Sequence, residues 1–507
     1  MLIDSYTFSK VLFCGFHYHV NNHFIKNFIK EFNVDRYITI NVNPGDEINY
    51  DYNLFKFGEC FKYIDWDKIP VIDKNLLASI KKEKMIVIDM LSRINFKMTY
   101  KEREFFFLNQ LRFWDYIIKK ENISLFISDN IPHDGFDYII YTICRYRKIR
   151  TIMFQELPTR PHRHLAMHIL ENIEKVGIDI HNKFLELKKN EKKINIQLST
   201  RIENYYFDMQ KKSNELKQFT QKTKEENFFK QALFFINTNF NELLKNISQQ
   251  VKYDKKYKIL KIKTTFSIVI KLLKKLFPFI NRVLLFLINK SKIYLSDYDF
   301  YLSLCSSNLD FKKKYVYLAL HYQPELSTSP LAEKFSNQLL IIDTLSKSLP
   351  EDTLLYVKEH PRISYNRNRK FYKKITSYSN IVLCNPELST YDLIDNSIAV
   401  ATATGSVGWE SFLRKKPVLM FGYRFYQYAP NVFRIFNKKQ CEEALNKISS
   451  TAFEIDKDDI FLYLHALDKF TFEGYNTRSK EKLCKITNDE NVNNYINALK
   501  ENNLSTL

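Results

Sequence analysis

The feature that most constrains this chain is an alternation, met twice, of short apolar runs ending in turns with longer stretches of helical spacing. In the first stretch VLFCGF (11–16), YITINV (37–42), KMIVIDM (84–90), LFISDN (125–130) and TIMFQE (151–156) read as strands, with helices over 100–120 and 136–148. In the second, KYVYLAL (314–320), LLYVK (354–358), IVLCN (381–385), IAVATAT (398–404) and PVLMFG (417–422) read as strands. Helices are expected between them over 331–349, 371–378, 391–397 and 408–415. Strands separated by helices imply parallel βαβ units. The expectation is an α/β protein with two Rossmann-like, doubly wound domains. A length of 507 residues agrees, since it exceeds one comfortable core.

Between these halves the pattern changes. Residues 166–305 are rich in Lys, Glu and Asn, nearly without Gly or Pro, and read as a helical, basic insertion. Its most apolar window, 266–289, is broken by Lys271, Lys274, Lys275, Pro278 and Arg282, so it is not expected to span a bilayer. The segment 262–290 reads as an amphipathic helix pair kinked at Pro278 that packs on the main domains or docks on anionic lipid. The domain expectation is therefore 1–165, 166–305, 306–440, and a helical tail over 441–507 that folds back on the first domain.

The 77 basic and 57 acidic residues leave a net charge of +20. A Lys-rich composition is one reading of it; the other is attraction to an anionic partner such as membrane, charged glycan or nucleotide phosphate. No nucleic-acid reader motif accompanies the charge, so nucleic acid is not expected as a partner. Seven cysteines, an odd number without a CxxC pair, point to reduced thiols and a cytoplasmic protein, and no signal peptide is indicated.

Chemistry-bearing residues fall where strands meet turns, which is where open α/β sheets bind ligands. In YVKEHP (356–361) a proline ends the strand and sets His360 on a corner, with Lys358 and Arg362 adding positive charge. In ATATGSVGWE (401–410) the small residues Thr402, Thr404, Gly405 and Ser406 let a phosphate approach the backbone, and the following helix offers its N–H groups. Glu410 is placed to bind sugar or ribose hydroxyls; the plainer role is a charge near the helix N-terminus. HYQPELSTSP (321–330) adds His321, Gln323 and Glu325, although its serines also suit a helix cap. In the first half, Asp129, His133 and Asp134 in SDNIPHDGFD (128–137) and Glu156 at the end of the next strand are candidates for an acceptor-side base or nucleophile. Loop acids ahead of helices are also common caps. HYHVNNH (17–23) and HRHLAMH (162–168) lack acidic or cysteine partners at ligand spacing, so no metal or other cofactor is called for.

Three stretches carry a resemblance: YVYLALHYQPELSTSP, LLYVKEHPR and IAVATATGSVGWESFLRKKPVLMFGYRFY. They resemble the capsular polysaccharide biosynthesis family, which includes Kdo transferases of the GT-B fold. The resemblance implies a cytoplasmic, metal-independent glycosyltransferase, peripheral on the inner face of the membrane, with two domains that face a cleft; the helical insertion shares no motif with the family. It implies an activated sugar, CMP-Kdo among the candidates, and a glycan or glycolipid acceptor. By position, His360 and Thr404–Ser406 would hold nucleotide phosphate and Glu410 the nucleotide or donor sugar. Ser406 and Ser411 stand where relatives often have Thr and Ala. Two rival readings are a polyol-phosphate transferase of the teichoic-acid kind and a non-catalytic polysaccharide assembly or export factor.

Overall fold

The computed structural model describes residues 8–16, 19–41, 48–94, 98–157, 166–189, 197–211, 297, 299–322, 326–360, 367–476 and 486–501. The segment 262–290 lies outside them.

Two sheets form the frame. The first holds β1 (Phe8–Cys14), β2 (Val34–Asn41), β3 (Ile48–Asp51), β4 (Leu125–Ser128), β5 (Arg150–Leu157) and β6 (Ala166–Leu170). A seventh strand, β13 (Thr471–Glu473), reaches it from the far end of the chain. Their order is β13-β6-β5-β4-β1-β2-β3, parallel except at β5–β6 and β6–β13. The second sheet holds β7 (Lys314–Ala319), β8 (Thr353–Lys358), β9 (Ile381–Cys384), β10 (Ala399–Thr402), β11 (Val418–Met420) and β12 (Val432–Arg434). Its order is β12-β11-β10-β7-β8-β9, parallel throughout. The protein is thus mixed α/β, with two Rossmann-like domains in a GT-B-like layout. In each sheet the strand order reverses once, between β1 and β4 and between β7 and β10.

The continuous apolar runs follow from burial on both faces. Every residue of β4, β10 and β11 is buried. Helices cover each side; the longest among the described residues, Tyr100–Lys120, begins with a capping box in which Thr99 and Glu102 satisfy each other's backbone N–H.

One strand expectation fails. Residues 84–90 lie in a helix, Lys81–Ile94. Val87, Met90 and Leu91 are fully buried at spacings of three and four, while Met85 and Asp89 are exposed, so the helical period wins over the apolar run. Four strands were not expected: β3 and β6, and the short β12 and β13. The first sheet therefore continues past 165, into what reads as the start of the insertion. Residues 331–349 hold a short 3-10 turn, Glu333–Ser336, and then a helix that begins only at Gln338, capped by Asn337.

The tail carries helices Lys438–Ile448, Lys457–Lys469 and Asn488–Glu501. It returns to the first domain: β13 pairs with β6, and Phe24 of the helix His19–Glu31 packs against Tyr495. The domains meet in a shared apolar cluster that holds both Trp114 and Trp409. Trp409 is fully buried against Phe412, Phe425 and Tyr463; truncating such a side chain to Ala costs about 3–5 kcal/mol. Among the described residues no helix is long and apolar enough to cross a membrane.

Candidate functional site

Each sheet gathers polar residues at its reversal point. In the second sheet β7 delivers His321 and β10 delivers the turn Thr402–Gly405. The His321 ring lies 3.0 Å from Thr402 Oγ1 through Nε2, and the same Nε2 accepts the Thr404 N–H at 3.2 Å. A nitrogen that accepts a backbone N–H carries no proton, so the proton of this imidazole is on Nδ1. Burial is the main reason that its pKa falls to about 3, with the positive charges of His360, Arg367 and Arg424 adding to it. His321 is a neutral hydrogen-bond donor at physiological pH.

The surrounding bonds fix this geometry. Thr402 Oγ1 accepts the Gly405 N–H at 3.0 Å, Thr404 Oγ1 donates to the Ser327 carbonyl, and Tyr426 OH donates to the Gly405 carbonyl. The His321 N–H is held by Gln338 Oε1 at 2.7 Å, and the His321 carbonyl accepts from Arg367. Arg367 is also ion-paired with Glu359, both side chains almost wholly buried, and Glu359 takes a further bond from Tyr372 OH at 3.0 Å. Gly405 caps the helix Ser406–Leu413 without a side-chain bond. That helix end presents backbone donors and the positive end of the dipole beside His321.

Glu410, one turn into this helix, sits by Tyr205, Tyr317, Tyr391 and Tyr426, whose phenols are pushed up mainly by burial and further by its charge. Burial raises the Glu410 pKa, against the opposing Ser406 hydroxyl bond and the Arg414 charge. His360 follows β8, one strand beyond β7, with its ring 5.9 Å from that of Tyr322. It neighbours the turn across His321 and electrostatically lowers that ring's pKa. Lys358 donates to the Leu388 carbonyl and to Thr390 Oγ1 at 3.1 Å, so its ammonium is engaged by the loop after β9. Gln323, Glu325 and Arg362 lie outside the described residues.

In the first sheet the turn after β1 meets the turn after β4. Asp129 Oδ2 accepts the Phe16 N–H at 2.9 Å, and Asn41 Nδ2 donates to the Phe16 carbonyl at 3.0 Å. Gly15 stands at φ +89°, where a Cβ would lie 2.1 Å from Asp129 Oδ1. Gly15→Ala is expected to displace Asp129 and to lower stability by about 1–2 kcal/mol from the left-handed backbone alone. Thermal melting checks the second effect, and a Tm within error of the wild type would contradict it.

Three carboxylates share this corner in different roles. Asp137 accepts the N–H groups of His133, Asp134 and Tyr138 at 2.7–2.8 Å, so it shapes the loop. Asp134 is tied to Lys56 Nζ at 2.6 Å and Tyr52 OH at 2.9 Å. Asp129 keeps Oδ1 without a hydrogen bond among the described residues. Its pKa rises to about 7, first through burial and then through the charges of Asp137 and Asp134, against the Phe16 N–H. Glu156, by contrast, lies within β5 opposite Met167 of β6 and on the face of Phe154, two strands from β1. Among the described residues no group of three or more His, Cys, Asp or Glu side chains is placed to hold a metal. His168 instead meets Asp179 at 2.8 Å.

The sequence does not single out Gly15, Asn41, Tyr52, Lys56, Asp137, Glu359 or Arg367. Gly15 alone had a signal, a glycine directly after an apolar strand.

The position of these turns coincides with a sequence match over a fifth of the chain. Residues 328–430 match the model described as Capsule polysaccharide biosynthesis protein. The C-terminal domain carries the capsule polysaccharide biosynthesis signature. No curated protein matches the chain at a significant level. Among solved structures it is similar to KpsC, beta Kdo 2,7 transferase, from Thermosulfurimonas dismutans, at 9% identity over 96% of this chain and 98% of that one, TM-score 0.32. It is also similar to UDP-GlcNAc 2-epimerase from Methanocaldococcus jannaschii in complex with UDP-GlcNAc and UDP, at 12% identity over 91% and 99%, TM-score 0.27. A glycosyltransferase from Rickettsia africae matches at 12% identity over 99% and 97%, TM-score 0.25. Likenesses this loose carry no weight for function. The capsule signature does cover Thr404, Gly405, Ser406 and Glu410, together with His360 and Lys358.

Proposed function

We propose that this protein is a glycosyltransferase that moves a sugar from a nucleotide-activated donor to a growing capsular or other surface glycan. The observation that carries the reading is the neutral His321 locked to the Thr404 N–H at the reversal point of the second sheet. Open α/β sheets bind nucleotides at such points. In this reading the Nδ1–H of His321 and the N–H groups of the helix Ser406–Leu413 meet the donor phosphate, and Glu410 meets a sugar or ribose hydroxyl. His360, one strand away, and the Arg424 charge strengthen the field that stabilises a departing nucleotide. Such groups do the electrostatic work without calling on a metal ion.

On the acceptor side Asp129 is the base of this proposal. It would take the proton of an acceptor hydroxyl as that oxygen attacks the donor's anomeric carbon, while the bond to the nucleotide phosphate breaks. Asp134, neutralised by Lys56, and Asp137, committed to backbone N–H groups, position the loop. The loop after β7 already touches the first domain, where Ser329 Oγ donates to the Ile86 carbonyl at 3.4 Å. Closure of the two domains would bring donor and acceptor together. Work at the cytoplasmic face of the membrane is part of the same proposal.

The test is turnover. CMP-, UDP-, GDP- and CDP-linked donors, including CMP-Kdo and CDP-glycerol, are offered with a capsular glycan acceptor, and nucleotide release is measured. One sugar nucleotide should be consumed, and His321→Ala should slow it. Consumption of CDP-glycerol alone would identify a polyol-phosphate transferase. Glycan binding without turnover of any donor would identify an assembly or export factor.

A further inference from the structure

A cavity of about 730 Å³ opens at the amino ends of the strands of the second sheet. Lys314 and Thr353, which line it, begin β7 and β8, while Ile398 and Pro417 directly precede β10 and β11. His321 and the turn through Gly405 lie at the carboxyl ends of β7 and β10. β7 is six residues long, about 20 Å, so the sheet itself separates the two places. The end of the helix Lys438–Ile448 and the loop after it complete the wall with Ile448, Ser449, Phe453 and Ile455. The volume falls in the range of about 300–1,000 Å³ that small-molecule sites occupy.

Its lysines are unevenly satisfied. Lys314 is paired with Asp352 at 2.6 Å, whereas Lys415 and Lys416 make no ion pair among the described residues. Lys416 Nζ donates to the Ser397 carbonyl at 3.0 Å, and both residues line the cavity, which sets the ammonium on its wall. An ammonium has three N–H donors, so two are left over. Asp395 attracts this ammonium but is itself held by Arg414 Nε at 2.7 Å. Burial lowers the Lys416 pKa, against the Asp395 charge and with that of Arg414, the mark of a cation short of counter-charge. Lys415 is exposed and stands at φ +57°, the place after the helix Ser406–Leu413 that glycine commonly takes. Backbone bonds from Lys415 to Phe412 and from Lys416 to Ser411 fix that turn. Three lysines against Asp352 and Glu454 leave one positive charge on the lining, which suits a singly charged carboxylate better than a phosphate. Sugars join apolar C–H faces to polar edges, and Phe453 with Ile398, Ile448 and Ile455 offers the apolar side.

We infer that this cavity binds an acidic sugar, its carboxylate on the ammonium groups of Lys415 and Lys416 and its ring against Phe453. A carboxylate supplies the acceptors that the spare N–H groups lack and neutralises the one charge left over. The inference stands apart from the transferase reading, since the cavity and the proposed donor site lie at opposite ends of the second sheet.

Calorimetric titration of the full chain with glucuronate, and with glucose as its uncharged counterpart, tests it. Glucuronate should bind at least about tenfold more tightly than glucose. Lys416→Gln, whose amide can still donate to the Ser397 carbonyl, should lower the affinity for glucuronate by about tenfold. Lys415→Gly, at the more exposed position, should lower it by about threefold. Circular dichroism confirms folding. Glycine takes φ +57° freely, so Lys415→Gly decides if Lys416→Gln does not fold. Equal binding of the two sugars, no binding of glucuronate, or an unchanged affinity in the folded variants would overturn the inference. So would glucose 6-phosphate binding more tightly than glucuronate through the same two lysines.

Discussion

Asp129→Asn is expected to lower sugar transfer by about 10²–10⁴-fold while nucleotide binding stays at the wild-type level. Asp129 has a carboxylate oxygen without a hydrogen bond among the described residues and a pKa raised to about 7, near the working pH. Burial sets that pKa, and the charges of Asp137 and Asp134 add to it. Asp134→Asn should cost less, because Asp134 is already tied to Lys56 and Tyr52. A base must be unprotonated to act, so wild-type turnover should fall as pH drops below about 7. The residual activity of Asp129→Asn should not show that step. Stability carries the opposite sign. The folded pKa lies above the ordinary 3.8, so the folded state holds this proton more tightly than the unfolded chain. The stabilisation is complete below the ordinary value and is lost as pH rises through the folded one. Asn does not ionise and can still accept the Phe16 N–H, so the variant should melt higher than wild type at about pH 8. Full activity in Asp129→Asn would end its assignment as the base.

The largest effect on stability is expected from Arg367→Met. The Arg367–Glu359 pair is almost wholly buried, and Glu359 also accepts from Tyr372 OH and from the His360 N–H at 2.9 Å. Removing the cation strands a buried carboxylate, which costs about 3–5 kcal/mol. In domains of this size that is a Tm loss of about 10 °C. Glu359→Gln combined with Arg367→Met should recover part of it, because no charge is then left unpaired. Arg367 also holds the His321 carbonyl, so the single variant should weaken nucleotide binding even where it remains folded. A Tm within about 2 °C of wild type would show that the pair does not sustain this corner.

Much of the frame was legible because burial on both faces makes parallel strands read as unbroken apolar runs. The same property misled at 84–90, where Ile86, Val87 and Ile88 are all buried but on a helix. β3 and β6 escaped for the opposite reason. β3 is an edge strand whose residues are all partly or fully exposed, and β6 is antiparallel, so no βαβ pattern announces it. The turns at 321, 360 and 405 were visible as polar groups after strands. Which histidine meets the glycine turn was not, because that depends on strand order: β10 adds beside β7, which brings His321 to Thr404 and leaves His360 one strand further out. Likewise the division of labour among Asp129, Asp134 and Asp137 rests on partners up to 113 residues away in the chain, as with Phe16. Local spacing holds no record of such contacts.

The most direct test is a calorimetric titration with free and sugar-linked CMP, UDP, GDP and CDP on three proteins: wild type, Asp129→Asn and His321→Ala. One nucleotide family should bind wild type and Asp129→Asn alike and His321→Ala at least about tenfold more weakly. Undiminished nucleotide affinity in folded His321→Ala, or no affinity for any of the four in the wild type, would contradict the assignment of the second sheet's reversal point as the donor site.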